Sequence, residues 1–549
     1  MKKSIVCLFL GILMLLPFSL TGCGNSGAAD TSQDKAARAY TTLSFWIVTE
    51  DETTKEAIDA MQEVFNEACK QKYSTQVIFT FCTADEYRAK LDEKLASVDA
   101  EAERLKAEKE SLKSDKNSTG SAETIVDDDG MTVVQYPELS SAQLDIVLIT
   151  GKEMYTDLAS RGVLLSLNAQ LAGSYKDIAK TVYPELLTYS AVNGNYYAIP
   201  NKRVIGEYTY LLVDKAMAAK YYKKASDITT VASVYDLVQM VAENEDRSEI
   251  APLLAPFEYP TLRYWSKDYE RASLIGSLYA GDMERGHGPV YVRNLLAQED
   301  YRKYATMMFD AELNDYYVKG NEDFAVGVVT GDYGDRFAYA EKYHCVPVNN
   351  PRISEDDVFG AMFGVTKYTV NLARSLEIVQ DLLINSGLRN ILQYGVENED
   401  FMKNADGTVT LRSTTNYFMK QEYTGSMFTV YPCTNLGQTA EFTQYAAQQN
   451  RDHCSDVFYE CESFFEGVDT GKWSMVDEFS SKLFARLSMC VSVDEYRQTL
   501  KDIVTELDGD SSEAVLVRAM LRESYLDQPD RASIAGSILA YRYYLNENL

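Results

Sequence analysis

Trp46 stands near the end of an apolar run, Leu43 to Val48, that finishes in Glu50 and Asp51. An indole face stacks on the apolar side of a pyranose ring, and neighbouring carboxylates accept hydrogen bonds from its hydroxyls. This trio therefore has the chemistry of sugar recognition. Each member has a plainer reading too: Trp46 fits the core of a strand, and Glu50 and Asp51 fit a solvated loop. The 39 tyrosines offer more of the same flat, hydroxyl-tipped surface without marking a pocket. Catalytic patterns are missing. The three histidines, His287, His344 and His453, stand in no HExxH or Cys/His cluster, which argues against zinc. No G-x-S-x-G nucleophile turn and no GxxxxGK[ST] phosphate loop occurs. Asp127-Asp128-Asp129-Gly130 would need an oxygen ligand where Ile125 stands to make a calcium loop, so it reads as a hairpin turn. No catalytic residue, metal or cofactor is expected. Carboxylate pairs for a surface glycosidase arise by chance among 82 acidic residues, and no signature selects one.

The segments ahead of this site set its location. Lys2 and Lys3, the apolar stretch Ile5 to Leu16 and the small residues before Cys23 form a signal peptide over 1–22, too short in its apolar part to span a bilayer. Leu20-Thr21-Gly22-Cys23 resembles the lipobox of bacterial lipoproteins, which implies lipidation of Cys23 and a chain anchored to the cell membrane, facing outside the cytoplasm. Residues 23–40 are small and polar, as a flexible tether is. The excess of acids over 53 basic residues gives a net charge of -29, and this repels phosphate backbones, so nucleic acid is not an expected partner. Seven cysteines remain in the body. Cys69 with Cys82 and Cys454 with Cys461 are local candidates for a bridge, although spacing leaves the connectivity open and most read as free.

The elements that would position the site follow in order. Leu43 to Val48 and Gln76 to Phe81 read as strands around a helix over Thr53 to Lys70, whose apolar residues keep a 3.6-residue period. This β-α-β opening predicts a parallel sheet. Leu91, Leu95, Val98, Ala102, Leu105 and Leu112 repeat at four and three, giving either a long helix lying on its own lobe or a partner-binding coiled coil. A hairpin over Thr124 to Val134 and a strand over Leu144 to Ile149 come next. That strand's Asp145-Ile146-Val147, the Thr150-Gly151 at its end, Gly162-Val163-Leu164 and the hairpin Asn193 to Pro200 together resemble the extracellular solute-binding proteins of ABC importers, particularly the carbohydrate-type lipoproteins. Ile391 to Glu397 is similar to an element of one such subfamily, with Asn398 where glycine is usual. The resemblance covers most of residues 41–470.

The resemblance implies an α/β chain of the two-lobed, periplasmic-binding-protein-like type II fold, with parallel-rich sheets and a hinge. Lobe 1 is expected over 41–200 with an insertion at about 92–135, lobe 2 over 201–346, a return to lobe 1 over 347–410, and a mainly helical stretch over 411–549 completing lobe 2. Cys345 to Val348 with Val358 to Val365 would be the return crossing, and Phe257 to Trp265 reads as loop. A two-lobed binder holds its ligand at the carboxyl ends of parallel strands, where loops and helix N-termini leave N–H groups free. In lobe 1 this adds Thr150 to Trp46, Glu50 and Asp51; from the crossing and lobe 2, Arg203, Tyr208, Trp265, Asp332, Tyr333 and Arg336 have suitable chemistry. Arg203 equally fits a hinge tie to an acidic neighbour. The expected activity is binding without catalysis. A small-molecule ligand, a mono- or oligosaccharide, would be passed by a monomer to ABC permease subunits. The alternatives are a surface glycosidase and a sensory or structural lipoprotein engaging a protein partner through the 91–112 helix.

Overall fold

The computed structural model describes residues 40–111, 136–222, 230–255, 299–318, 323–351, 353–453 and 470–516, the short segments 124–126, 132–134, 264–265, 277–279 and 292–293, and residues 224, 227, 228 and 296. The signal, the tether, Cys23, the Asp127 to Gly130 turn, Cys454 and Cys461 lie outside the described residues.

Order begins with β1 (Thr41–Thr49), α1 (Lys55–Tyr73) and β2 (Thr75–Thr83). The Thr54 hydroxyl caps α1 by accepting from the Ala57 N–H, and Met61, Phe65 and Cys69 form its buried face. Ser74, at φ 52°, ends the helix in the left-handed region and lets β2 run back parallel to β1. The insertion opens with α2 (Ala84–Ser111), one unbroken helix. Tyr87, Leu91, Leu95 and Val98 bury its first half in the lobe's core, while residues 103–108 are largely exposed. Next come the hairpin β3 (Thr124–Val126) and β4 (Thr132–Val134), then β5 (Ile146–Ile149), α3 (Lys152–Ser160), α4 (Asn168–Ala172), α5 (Lys176–Thr181), α6 (Pro184–Tyr189) and β6 (Ala198–Pro200). β5 starts two residues later than expected because Asp145, fully buried, is an anchor: its carboxylate accepts from the N–H groups of Ser44 and Val370, the Thr369 hydroxyl and the Gln143 amide.

The second lobe holds β7 (Tyr208–Asp214), α7 (Lys215–Tyr221), α8 (Val231–Asn244), β8 (Ala251–Leu254), β9 (Tyr264–Trp265), β10 (Ser277–Tyr279), β11 (Val292–Arg293), α9 (Glu299–Leu313), β12 (Tyr317–Val318), β13 (Phe324–Gly331), α10 (Asp335–Lys342) and β14 (Tyr343–Asn349). The chain returns through α11 (Glu355–Phe359) to β15 (Met362–Val365), α12 (Leu372–Ile384), α13 (Ser386–Tyr394) and the hairpin β16 (Phe401–Lys403) and β17 (Val409–Leu411). Then follow α14 (Phe442–Asp452), α15 (Thr470–Ser488) and α16 (Val493–Leu507).

Two five-stranded sheets organise the lobes, in the orders β2-β1-β5-β15-β6 and β12-β8-β13-β7-β14. β1 is parallel to β2 and β5, and β15 is antiparallel to β5 and β6. The result is an α/β architecture of two lobes, as the family resemblance implies, parallel at the β-α-β opening as expected, but each sheet is mixed rather than parallel-rich, since β7 is also antiparallel to β13 and β14. Each sheet has its own core. Phe45 packs against Phe79 and Phe363 at 5.3 and 5.4 Å in the first, and Leu211, Val238, Val326 and Val346 fill the second. Burial of one such side chain contributes about 1.5–3 kcal/mol.

The structure revises several expectations. Cys345 to Val348 is not a crossing: it lies within β14, paired with β7, and the crossing is 350–361. Tyr264 and Trp265 form a strand paired with β10 rather than a loop. Residues 411–436 do not complete lobe 2. Tyr417 and Met419 enter the first core, and the Phe418 carbonyl accepts from the hydroxyls of Thr49 and Thr53. The polar face of α13 causes this, because Arg389, Asn390 and Gln393 donate to the carbonyls of Gln421, Ser426, Thr429 and Met419. α16 does pack on α9 of lobe 2, with Tyr496 stacked on Phe309 at 4.3 Å. Cys69 and Cys82 are both free and buried, so neither bridges the other. Asn398 takes φ 70°, the left-handed geometry that glycine fills most readily and asparagine tolerates.

Candidate ligand-binding site

Strand register brings the functional ends together. Met362, the first residue of β15, pairs with Ile149 at the end of β5 and with Pro200 at the end of β6. In the other sheet Gly331, the last residue of β13, pairs with Tyr208, the first of β7, and Asn349 at the end of β14 pairs with Thr209. Both sheets therefore turn strand ends toward the connecting segments 201–207 and 350–361. Contacts across the lobes are made there, since the His453 ring at the end of α14 lies 5.4 Å from Tyr183 beside α6.

On the first lobe, Glu50 follows β1 directly. Its N–H donates to Phe418, and its carboxylate stands 3.9 Å from the Lys420 ammonium, at the rim of a pocket of about 470 Å³ walled by Tyr394, Tyr417, Met419 and Met427. Asp51 is exposed in the next turn. Thr150 is half-buried with its hydroxyl against the Met154 sulfur at 3.9 Å, and Gly151, at φ 111°, donates its N–H to the Phe359 carbonyl. Trp46 is elsewhere: it lies three residues, about 10 Å, upstream of the strand end, half-buried against the core.

Arg203, 18% exposed, forms no open donor set. It donates to the carboxylate and carbonyl of Asp356 at 2.7 and 3.0 Å and pairs with Glu422 at 3.2 Å and Asp357 at 3.6 Å. Burial disfavours its charge, yet Glu422, Asp356 and Asp357 outweigh that and hold its pKa above the ordinary value. Burial likewise raises the Asp357 carboxyl in spite of Ser354 and Arg203. Arg203 thus ties the first crossing to the second and to the 412–436 loop, the hinge role that its chemistry allowed. Its neighbour Lys202, which the sequence reading passed over, lies over the rings of Tyr183 and Phe428 at 5.2 and 4.8 Å, its pKa lowered by burial.

On the second lobe the end of β13 carries an aromatic cluster. Tyr333 lies 5.9 Å from Phe337 and 5.6 Å from Tyr445, while Phe337 and Tyr445 stack at 5.2 Å. Phe337 is 49% exposed, and the Arg336 guanidinium rests over Tyr333 and Phe337 at 5.1 and 5.6 Å. Gly334 admits this packing, because a Cβ there would meet the Tyr445 ring at 3.3 Å and the Asp332 carboxylate at 3.0 Å. Asp332 accepts from the N–H groups of Gly334 and Asp335 and so fixes the turn that presents Tyr333. Tyr208 is buried behind the cluster, its hydroxyl donating to Asp452 at 2.7 Å; burial and that bond raise its pKa. Trp265 sits in β9, and its side chain lies outside the described residues.

Tyr333 and Arg336 are therefore brought together with Phe337 and Tyr445, which sequence reasoning missed. Phe337 had a local signal, one residue after Arg336. Tyr445 had none, being over 100 residues away in sequence. Among the described residues no group of His, Cys, Asp and Glu is arranged to hold a metal ion, and no helix is long and apolar enough to cross a membrane. The exposed Phe337 ring and the half-buried Tyr333 and Tyr445, beside carboxylates and a guanidinium, can stack and hydrogen-bond a polyhydroxylated ring.

No protein-family model and no curated protein matches the chain. Solved structures do. The N-glycan transport solute-binding protein NgtS from Streptococcus pneumoniae is 14% identical, covering 88% of this chain and 98% of its own, with a TM-score of 0.47. An extracellular solute-binding protein from Bifidobacterium longum subsp. infantis is 13% identical over 89% of this chain and 99% of its own, with a TM-score of 0.45. The sugar-binding protein MalE from Xanthomonas citri is 10% identical over 93% and 100%, with a TM-score of 0.34.

Proposed function

We propose that this chain is a solute-binding receptor that captures a carbohydrate between its two lobes and delivers it to the permease of an ABC importer. The observation that carries this reading is the Tyr333, Phe337 and Tyr445 cluster with Arg336, in which the Phe337 ring is exposed, held at the β13 end that faces the lobe connections. Glu50, Asp51 and Thr150 supply polar groups from the first lobe. A ring stacked on Phe337 and bonded across the seam contacts both lobes at once, so it favours the closed arrangement by its differential affinity. No bond is broken. The receptor works as a monomer, and lipid on Cys23 keeps it at the outer face of the cell membrane.

Calorimetry and thermal shift over a panel of mono- and oligosaccharides test the reading, with product analysis alongside. Saturable binding without turnover is expected. Turnover, or indifference to every sugar with a response to peptides, overturns it. Cys23→Ser is expected to release the chain from membranes without weakening binding in solution.

A further inference from the structure

Gln449 is 1% exposed, and its amide is shared between the Tyr333 turn and the first crossing between the lobes. Its Oε1 accepts the backbone N–H of Tyr333 at 2.9 Å, on the turn that carries the aromatic cluster. Its Nε2 donates to the carbonyls of Ile205, at 3.2 Å, and Gly206, on the first crossing between lobes. This pattern admits one amide orientation, because a backbone N–H can only donate and a carbonyl can only accept. Gly206 sits at φ 48°, where a side chain is disfavoured, so the crossing contains a residue free to turn through the left-handed region. The next residue, Asn450, fully buried, accepts from the Ile205 N–H at 2.9 Å and donates to the Arg203 carbonyl at 2.8 Å. Tyr445, Gln449 and Asp452 recur at four and three along α14, one stripe touching Phe337, the Tyr333 turn and Tyr208 in succession.

We propose that Gln449 is the positioning residue that couples ligand engagement at the Tyr333 turn to the angle between the lobes. The inference rests on the receptor reading for its ligand, though not for its hinge. Rotation of the Ile205–Gly206 peptides swings the two carbonyls away from a side chain clamped on its other side by Tyr333. The arrangement of the turn and that of the crossing are thereby linked. Ligand that fixes the turn fixes the carbonyls.

The test measures inter-lobe distances in the full chain by pulsed electron resonance, with spin labels on non-canonical residues at exposed Lys176 and Asp236. Gln449→Met keeps the bulk and removes every bond; Gln449→Glu keeps the acceptor for Tyr333 and sets a carboxylate against the two carbonyls. Both are expected to broaden the ligand-free distance distribution and to weaken binding of the best panel glycan at least about fivefold. Phe337→Ala should weaken binding while leaving the ligand-free distribution as in wild type. A wild-type distribution in Gln449→Glu, with native circular dichroism, overturns the proposal, and so does binding loss in it without any change in distribution. If no glycan binds the wild type, the receptor reading falls, while the ligand-free distributions still decide the role of Gln449 in the hinge.

Discussion

Arg389 shows what a single buried residue contributes. It is fully buried, and among the described residues its guanidinium pairs with no carboxylate: it donates instead to the Ser426 and Gln421 carbonyls at 3.2 and 2.6 Å and to the Gln393 amide oxygen at 3.1 Å. Burial pulls its pKa down to about 9, with the Tyr394 and Tyr417 phenols opposing only in part. It is therefore still charged at neutral pH, and dipoles alone compensate it. Arg389→Ala takes the guanidinium from the Ser426 and Gln421 carbonyls, which keep only the weaker bonds from Thr429 and Thr424, and it opens a cavity where the long side chain was buried. A loss of about 3–5 kcal/mol is expected in urea unfolding, with Arg389→Met less costly because it refills the volume and removes the desolvated charge. A neutral Arg389→Ala would mean that the 417–426 loop is not held by this network. At the same scale the sequence reading named Tyr333 and Arg336 for their chemistry, and left open the hinge role of Arg203 that the three carboxylates give it.

At the scale of elements, α2 is joined to the first lobe by ions as well as by Leu91 and Leu95. Arg88 on α2 and Arg161 after α3 both bond the Asp157 carboxylate, Arg161 at 2.9 Å. The Arg88 bond is the main cause holding the Asp157 pKa below its ordinary 3.8, against opposing burial. Because the folded carboxyl titrates below its unfolded value, this contribution is complete above pH 3.8 and is lost as pH falls through the folded value. The carboxylate is partly exposed and screened, so the effect is small. Asp157→Asn should lower Tm by about 1–2 °C at pH 7 in calorimetry, and the gap to wild type should close toward pH 3. A gap that is constant with pH would assign the loss to packing. The helix pattern was legible over its middle, where Leu91, Leu95 and Val98 are buried, but it left out Tyr87, which is buried one turn earlier. Its far end was not: the four-and-three repeat continues past Glu101, where residues 103–108 are largely exposed.

For the molecule as a whole, α2 runs out of the first core into a largely exposed stretch over residues 103–108. Ser141 donates to Glu101 at 3.1 Å, which holds the chain just after the insertion against α2. Replacing residues 106–135 with a short Gly-Ser linker, which spares the Tyr136 ring packed on Tyr40, should leave Tm within about 3 °C and glycan binding unchanged, because residues 106–108, where α2 leaves the first core, are exposed. Intact binding with lost uptake in cells would assign the insertion to a protein partner. Loss of binding by the purified variant would place it in the ligand site instead.

By itself the sequence determined the β-α-β opening, the two sets of buried strands, the glycine-like position that Asn398 occupies and the residues from which a sugar site would be built. Those features depend on period, turn chemistry and side-chain type within a dozen neighbours. Only the tertiary structure decided that Trp46 lies upstream of the strand end, that Arg203 is occupied by Asp356, Asp357 and Glu422, that residues 411–436 return to the first lobe, and that Tyr445 and Gln449 join Tyr333. Each of these turns on a pairing between residues far apart along the chain, fixed by sheet register and by where a polar helix face finds carbonyls to satisfy. No local periodicity encodes such a pairing.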